Sequence, residues 1–119
     1  MRVVKDLVAA SATPMVLGIL AEGDNYGYAI IRRVAELSGG ELEWSEGLLY
    51  PLLHRLERDG LVSSHWGVAE TNRRRKYYHL TERGHDAVAE HRKQWDVVVE
   101  ALRAVWPEPP TTPVVAGGQ

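Results

Sequence analysis

Four consecutive cations form the most basic stretch of the chain: Arg73, Arg74, Arg75 and Lys76. They are more than a quarter of its 14 lysines and arginines, although the formal net charge is −2. Guanidinium and ammonium groups bind phosphate oxygens, and residues 66–80 set these four cations against a single carboxylate. The run therefore predicts a local contact with a polyanion. The alternative that stays open is charge that protects the edge of a sheet from pairing.

A second set of polar side chains lies along one side of a predicted helix. Ser45 is the expected N-cap, and leucines at 49, 52, 53 and 56 form the inward stripe. This spacing leaves five residues facing outward: Gly47, Tyr50, Pro51, His54 and Arg58. Tyr50 and His54 can hydrogen-bond phosphates or base edges, and Arg58 can pair with a phosphate. The absent side chain of Gly47 permits close approach of the backbone.

The charge of this helix limits what it does alone. Residues 45–60 contain two arginines against three carboxylates, so the helix does not attract DNA through its electric field. Nonspecific attraction is therefore assigned to residues 73–76 and selectivity to the helix. An ordinary surface face with a tyrosine on it is the alternative for the helix.

Other kinds of chemistry find no support in the sequence. Ser64 and His65 are neighbours on a predicted strand and point to opposite faces, so they do not form a nucleophile and base. The five histidines lack the close spacing of metal ligands, and the absence of cysteine excludes thiolate sites. No glycine-rich phosphate loop is present. We expect no enzyme activity, no cofactor and no metal.

The order of predicted elements indicates a fold class. Helices are predicted at 5–12, 14–22, 26–38 and 45–60, then strands at 61–67 and 75–80, then a helix at 82–106. Thr13 is the expected N-cap of the second helix, with Pro14 in its first turn. This is a mainly α protein with a β-hairpin (α+β). The last three helices before the hairpin, at 14–22, 26–38 and 45–60, form a winged helix-turn-helix, whose third helix is presented to a DNA groove.

Three regions follow from this reading. We expect a DNA-binding winged helix-turn-helix domain at 1–81, a dimerisation helix at 82–106 and a disordered tail at 107–119. The tail holds four of the six prolines. Ser11, Thr13 and Pro14 interrupt the apolar run near the N-terminus, which argues against a signal peptide. No apolar run is long enough to span a membrane, and we expect a cytoplasmic protein.

The last helix carries a regular apolar seam. Its members recur every three or four residues: Val88, His91, Trp95, Val98, Leu102 and Val105. A second copy of the chain is the simplest partner to bury such a seam. Trp95 lies in the middle of it. It is either a packed residue of the dimer core or a stacking platform for a flat aromatic effector.

Two linked stretches resemble the PadR family of bacterial transcriptional regulators: "LLYPLLHRLERDGLVSSHWG" and "RRRKYYHLTERG". The resemblance covers residues 13–106 and implies a homodimeric repressor that binds a double-stranded DNA operator. It places Tyr50, Pro51 and His54 in the recognition helix and Arg73–Lys76 in the wing. Leu48 stands where the family usually has threonine, so one hydroxyl that can contact phosphate is missing.

The short C-terminal part resembles the smaller subfamily that includes the multidrug-binding LmrR-type regulators. This resemblance implies a small aromatic or drug-like effector at the dimer interface, with Leu7 and Pro14 at lining positions. Val99 stands where those relatives carry an acidic group, which argues against a preference for cationic drugs. A winged-helix protein-interaction module without ligand sensing is the alternative function.

Overall fold

The computed structural model of the chain describes residues 1–109. Its elements are α1 (Lys5–Glu22), β1 (Asn25–Tyr26), α2 (Gly27–Leu37), α3 (Glu46–Arg58), β2 (Val62–Val68), β3 (Arg74–Leu80) and α4 (Glu82–Val105). Four helices and a three-stranded antiparallel sheet make an α+β fold, which confirms the predicted class. Apart from its first three residues, the predicted disordered tail lies outside the described residues.

The first two predicted helices are in fact one, and the predicted break at Thr13 and Pro14 is wrong. Helix α1 runs without interruption from Lys5 to Glu22, with Pro14 inside it. A proline there removes one backbone hydrogen bond and costs about 3 kcal/mol. Burial of the apolar residues on both sides of it, Ala12, Val16, Leu17, Ile19 and Leu20, offsets that cost. Instead of capping a helix, the Thr13 hydroxyl accepts a long, 3.4 Å hydrogen bond from Arg55.

The sheet has one more strand than the sequence predicts. The segment after α1 was expected to be a simple break, but Asn25 and Tyr26 pair with Tyr78 and Tyr77 of β3. Strand β3 is therefore central, in the order β1-β3-β2. A two-residue strand carries too little periodicity to be recognised, and only pairing with β3 defines it.

The turn between α1 and β1 is held in place by an ion pair. Both nitrogens of one edge of the Arg33 guanidinium donate to the Glu22 carboxylate, at 3.0 and 2.9 Å. These hydrogen bonds keep the pKa of the Glu22 carboxyl below its usual value. The contact joins the end of α1 to α2 and brackets the turn that contains Asp24.

The core lies between helices α1 to α3 and one face of the sheet. Its fully buried members include Val16, Leu17, Ile30, Val34, Leu49, Leu53, Val62 and Tyr78. The predicted inward leucines of α3 are all buried, which leaves the opposite side of that helix exposed. Among residues 1–109 no helix has both the length and the apolar character needed to cross a lipid bilayer.

Both ends of α3 follow the predicted rules. The Ser45 hydroxyl accepts a hydrogen bond from the Leu48 amide at 3.2 Å, so Ser45 is the N-cap. Glu46 lies in the first turn, where a carboxylate complements the helix dipole. After Asp59, Gly60 adopts a φ of +77°, the left-handed conformation that glycine accepts at little cost.

Helix α4 begins at a closely packed junction. The Thr81 hydroxyl donates to the Gly60 carbonyl at 2.6 Å and accepts from the Gly84 amide at 3.1 Å, which confirms Thr81 as the N-cap. The Thr81 amide donates to the Leu61 carbonyl at 3.1 Å. Gly84 is packed so closely that a side chain there would overlap the Leu61 carbonyl oxygen. The junction thus joins the start of α4 to the turn that follows α3.

Beyond this junction, α4 packs along α1, but this contact leaves its side chains half-buried or exposed. Gly84 is the only buried residue of its 24, all of which the structure describes. Val98 is 49% exposed and Val105 is 77% exposed. Val4 and Leu7, near the N-terminus, are exposed as well. The molecule is elongated, with principal extents of 59, 33 and 24 Å.

Replacing Gly84 with alanine tests the junction. A methyl group there would press on the Leu61 carbonyl, which is backbone and cannot move aside as a flexible side chain would. We expect Gly84→Ala to lower the free energy of unfolding by about 1–3 kcal/mol. Urea denaturation followed by circular dichroism measures the change.

Gly18→Ala is the matched control. Gly18 also lies within a helix, but a methyl group built on it meets no atom within 4 Å. It should leave stability unchanged or raise it by up to about 1 kcal/mol, because alanine is the better helix former. Equal stability of the two variants would show that the junction at Gly84 is not packed as described.

Candidate nucleic-acid interface

A groove separates α3 from the wing, which comprises β2, β3 and the connecting residues 69–73. Its volume is about 320 Å³. Its lining joins helix and wing: Tyr26, Gly27, Tyr50, His54, Trp66, Arg74, Arg75, Lys76 and Tyr78. Two predicted residues of α3 and three predicted cations of the wing therefore meet at one surface. We call it the α3–wing groove.

The outward side of α3 matches the predicted stripe. Gly47, Pro51, His54 and Arg58 are exposed, and Tyr50 is half-buried. The Ser45 oxygen accepts the capping hydrogen bond, and its own proton stays available for a phosphate. Arg58 makes a long, 3.8 Å contact with Asp59, and its side chain is 74% exposed. These groups are free to meet a ligand.

The Tyr50 ring packs against a glycine at the start of a different helix. Gly27, the first residue of α2, lies so close that a methyl group on it would come within 2.5 Å of the Tyr50 Oη. The missing side chain makes room for the tyrosine ring. The ring is thereby fixed at the edge of the groove instead of moving freely in solvent.

The cations of the wing do not all point the same way. Along β3, Arg74 and Lys76 share a face with the buried Tyr78, while Arg75 lies on the opposite face. The Arg74 guanidinium stacks 4.9 Å from the centre of the Trp66 ring. This stacking holds Arg74 at the groove, because a guanidinium is attracted to the face of an indole.

Arg75 is held by the short strand β1. Its guanidinium lies 5.0 Å from the centre of the Tyr26 ring, and its Nε is buried without a hydrogen-bond partner. Tyr26 in turn meets Tyr77 edge to face, with centroids 5.4 Å apart. Arg75 therefore contributes charge near the groove while its side chain is partly committed to packing.

The tip of the wing is a tight turn. Asn72 has a φ of 62°, and its amide donates to the Ala69 carbonyl at 2.8 Å. The Ala69 amide donates a second hydrogen bond across the turn, to the Arg73 carbonyl, also at 2.8 Å. Arg73 is exposed just before β3. It extends the basic surface beyond the sheet.

The wall of the groove between helix and sheet is fixed by a hydrogen bond. The Ser64 hydroxyl donates to the Glu57 carboxylate at 2.7 Å, joining β2 to α3. Burial raises the pKa of the nearby Tyr78 phenol, and the Glu57 charge adds to the effect. Tyr78 is 1% exposed, so it stays neutral and structural at neutral pH. His65 lies on the other face of β2 from Ser64, which confirms that the two do not form a catalytic pair.

Four of the nine residues that line the groove were not predicted as part of the site: Tyr26, Gly27, Trp66 and Tyr78, of which Trp66 and Tyr26 contact arginines. Trp66 was recognised only as part of a strand end, and Tyr26 only as the start of a helix. Both are aromatic neighbours of arginines, but those pairs come from cross-strand register. The alternation of side chains within one strand does not predict these pairs. Trp66 and Arg74 are 8 positions apart along the chain, and Tyr26 and Arg75 are 49 positions apart.

The predicted effector residues lie on a second surface. Leu7, Val99 and Leu102 line a cleft of about 590 Å³ together with Trp106 and Pro107. Trp95 and Pro14 are not among its lining residues. Val88, His91 and Trp95 are half-buried along α4, and Val98 is exposed beside them. Three of the predicted effector residues, Leu7, Val99 and Leu102, therefore meet in one cleft. Trp95 lies outside it, one helical turn before Val99.

Comparison with solved structures supports the same architecture. A transcriptional regulator from Clostridium thermocellum superposes with a TM-score of 0.78 at 27% identity, covering 88% of this chain and 99% of that one. A PadR-like transcriptional regulator from Bacillus cereus also gives 0.78, at 23% identity, covering 88% of this chain and 100% of that one. The second similarity bears on the fold alone.

The transcriptional regulator YqjI of Escherichia coli is a relative by sequence. It is 30% identical over 90 residues, which are 76% of this chain and 42% of that protein. This chain therefore corresponds to less than half of YqjI. The model of the transcriptional regulator PadR-like family matches residues 16–90. With its DNA-binding winged helix, the chain belongs to the PadR-like family of transcriptional regulators.

Proposed function

We propose that this protein is a homodimeric repressor whose operator binding is modulated by a small, flat aromatic effector at the dimer interface. The DNA-binding part of this proposal rests on a single observation, the α3–wing groove. There, a capped helix with an exposed polar face lies beside three cations of the wing. The two sides of the groove suggest two different tasks.

The wing supplies charge and the helix supplies selectivity. Residues 45–60 carry a slight excess of carboxylates, whereas residues 66–80 carry an excess of three positive charges. Phosphate contacts position a protein on DNA without reading its sequence, while contacts to base edges in the major groove read it. His54, exposed on α3, is the best-placed side chain for a base edge. Arg73 and Arg74 are the best-placed ones for phosphates.

Helix α4 supports a homodimer. One side of the 24-residue helix packs against α1 and is half-buried, but several of its apolar side chains remain in water. Its seam residues Val98 and Val105 are exposed, and so is Leu7 of α1. A second copy related by a two-fold axis buries both sets at once. Such a dimer presents two α3 helices, which must match half-sites about 34 Å apart.

The cleft beside α4 supports ligand sensing at this dimer interface. Leu7, Val99 and Trp106 give it an apolar wall, and its volume of about 590 Å³ suits a drug-sized molecule. Trp95 lies one turn earlier on the same side of α4 as Val99. A flat ring between two copies can therefore stack on Trp95. By changing how the α4 helices pair, the effector changes the spacing of the two α3 helices and thus the affinity for the operator.

Repression follows from the size of the footprint. Two half-sites one helical turn apart span roughly 20 base pairs of promoter. A dimer that occupies this stretch excludes RNA polymerase from it. Repression therefore requires only DNA binding by the surfaces described above.

The division of labour within the groove gives the main test. We expect Arg73→Ala/Arg74→Ala/Arg75→Ala to weaken binding to all DNA sequences, and to reduce the slope of log affinity against log salt by roughly 2 to 3. His54→Ala should instead change the base preferred at one or two positions of the site by roughly tenfold, with little change in salt slope. Gel shifts at several salt concentrations and selection from random DNA measure the two effects.

Two controls keep this test specific. Arg92→Ala/Lys93→Ala removes two exposed cations from α4 and should leave the salt slope unchanged. Tyr50→Phe keeps the ring beside Gly27 and removes only the hydroxyl, so any effect on base preference reports that hydroxyl. The proposal fails if the wild-type chain shows no salt-sensitive, sequence-specific binding to its own promoter. The assignment of tasks fails if the wing and helix variants behave alike.

The dimer is tested with two neighbouring valines. Val98 belongs to the seam, whereas Val97 is 70% exposed and lies about 100° around the helix axis from it. A buried, unpaired carboxylate disrupts an apolar interface, so Val98→Asp should convert the dimer to a monomer. Val97→Asp adds the same charge and should remain dimeric. Sedimentation velocity distinguishes these outcomes, and a monomeric wild type would contradict the proposal.

Ligand sensing is tested with acridine, a neutral planar probe. We expect saturable binding, and we expect Trp95→Leu and Trp106→Leu each to weaken it at least about tenfold. Trp66→Leu, which removes an indole from the wing, should leave the affinity unchanged. Fluorescence titration in the absence of DNA gives the affinities. Equal loss in all three variants would contradict an effector site at the dimer interface.

A further inference from the structure

Three potential metal ligands meet at the base of the sheet. They are Asp24 in the turn before β1, His65 on β2 and His79 on β3. One ligand atom from each lies within 4.8 Å of the other two. Along the chain, Asp24 and His65 are 41 positions apart and His65 and His79 are 14 positions apart, so their spacing in the sequence does not suggest a site.

The sheet register brings them together. Tyr26 pairs with Tyr77 and Asn25 with Tyr78, so the same register, continued by one residue, sets Asp24 beside His79. On the other side of β3, Ser63 pairs with His79, which makes His65 its diagonal neighbour on the same face. The three side chains thus come from three adjacent segments of backbone. The pairing of β1 with one edge of β3 and of β2 with the other edge holds these segments in place.

The donors match a particular class of cation. Two imidazoles and one carboxylate form known sites for Zn²⁺ with three protein ligands, in which a water molecule completes the tetrahedron. In a tetrahedral site with bonds of 2.0–2.2 Å, neighbouring donors are about 3.4 Å apart. Asp24 and His65 are exposed, and the His65 ring lies against the Tyr77 ring with centroids 5.8 Å apart. Closing separations of at most 4.8 Å to about 3.4 Å requires the donor atoms to move by roughly an ångström, which small changes in side-chain torsion angles can provide.

His79 supplies a second observation. Its Nδ1 is buried and has no hydrogen-bond partner among residues 1–109. Leaving a buried polar atom unpaired costs about 1–3 kcal/mol, and such atoms usually serve a purpose. The His65 and His79 rings are tilted by 47°, with centroids 5.5 Å apart, so they are not simply stacked on each other. Coordination through Nδ1 would satisfy that atom.

The charges around the three residues also permit a cation. On this face of β3 the preceding cation is Arg75, four residues from His79, or about 13 Å along the strand. Its guanidinium is turned toward the Tyr26 ring. Lys76, by alternation, lies on the opposite face. Asp24 contributes a negative charge that neither of these cations neutralises directly.

We propose that Asp24, His65 and His79 bind one Zn²⁺-class divalent ion, with a fourth position open to water. The ion would cross-link the α1–β1 turn, β3 and β2. That cross-link fixes the base of the wing hairpin relative to α1, and hence the position of Arg74 relative to α3. The proposal does not rest on DNA binding or on the aromatic effector.

The experiment uses the full chain without an affinity tag. Isothermal titration with ZnCl₂ should show one ion per chain. Titration with Co²⁺ should give the intense visible bands of a tetrahedral site. His65→Gln and His79→Gln should each weaken Zn²⁺ binding at least about tenfold. His85→Gln, which removes an exposed histidine of α4, should bind as the wild type does.

A measurement on the unaltered chain guards against misfolded variants. In proton NMR, Zn²⁺ should shift the imidazole signals of His65 and His79 and leave those of His54, His85 and His91 in place. Failure to bind a stoichiometric ion overturns the proposal, as does equal weakening in His85→Gln or a shift of the other three histidines. None of these measurements requires DNA, so a failed metal site leaves the proposed regulator function untouched.

Discussion

The contact between Gly84 and the Leu61 carbonyl is the constraint that fixes the start of α4 against the winged helix. Leu61 follows the turn that ends α3, and Gly84 lies in the first turn of α4. The Thr81 hydroxyl, bonded to Gly60 and Gly84, holds the same junction through polar atoms. A displacement of α4 is therefore transmitted to the end of the helix that faces the groove. In the proposed dimer, this junction is the path by which the pairing of two α4 helices would set the spacing of two α3 helices.

The groove shows how a slightly acidic chain holds a basic surface. Four adjacent cations on a strand alternate in direction, so the sheet divides them between two faces. Aromatic rings then fix two of them: Trp66 holds Arg74 at the groove, and Tyr26 holds Arg75 on the opposite face. Because these contacts position guanidinium groups before any ligand arrives, binding costs less side-chain entropy. The near-neutral α3 can then be selective without also supplying the attraction.

Strand β1 has only two residues, yet two features of the structure depend on it. Its Tyr26 packs against Arg75 and Tyr77, and its pairing with β3 brings Asp24 next to His79. The proposed metal site and the fixed arginine therefore share one origin, the addition of a short third strand to the wing hairpin. Such a strand has little stability alone and exists because β3 offers unpaired backbone groups at its edge.

The sequence by itself determined the features that local periodicity and chemistry encode. The leucine spacing of α3, its Ser45 cap, the Thr81 cap and the basic run at 73–76 identified the fold class, the outward face of the helix and the wing. These signals are local because a helix or strand shows its buried side at a period of 3.6 or 2 residues. Only the tertiary structure decided that Pro14 lies inside one continuous helix, since burial on both sides of it offsets the lost hydrogen bond. It also decided the pairs Arg74–Trp66 and Arg75–Tyr26 and the meeting of Asp24, His65 and His79. Those contacts depend on the register between distant strands, which no short stretch of sequence contains.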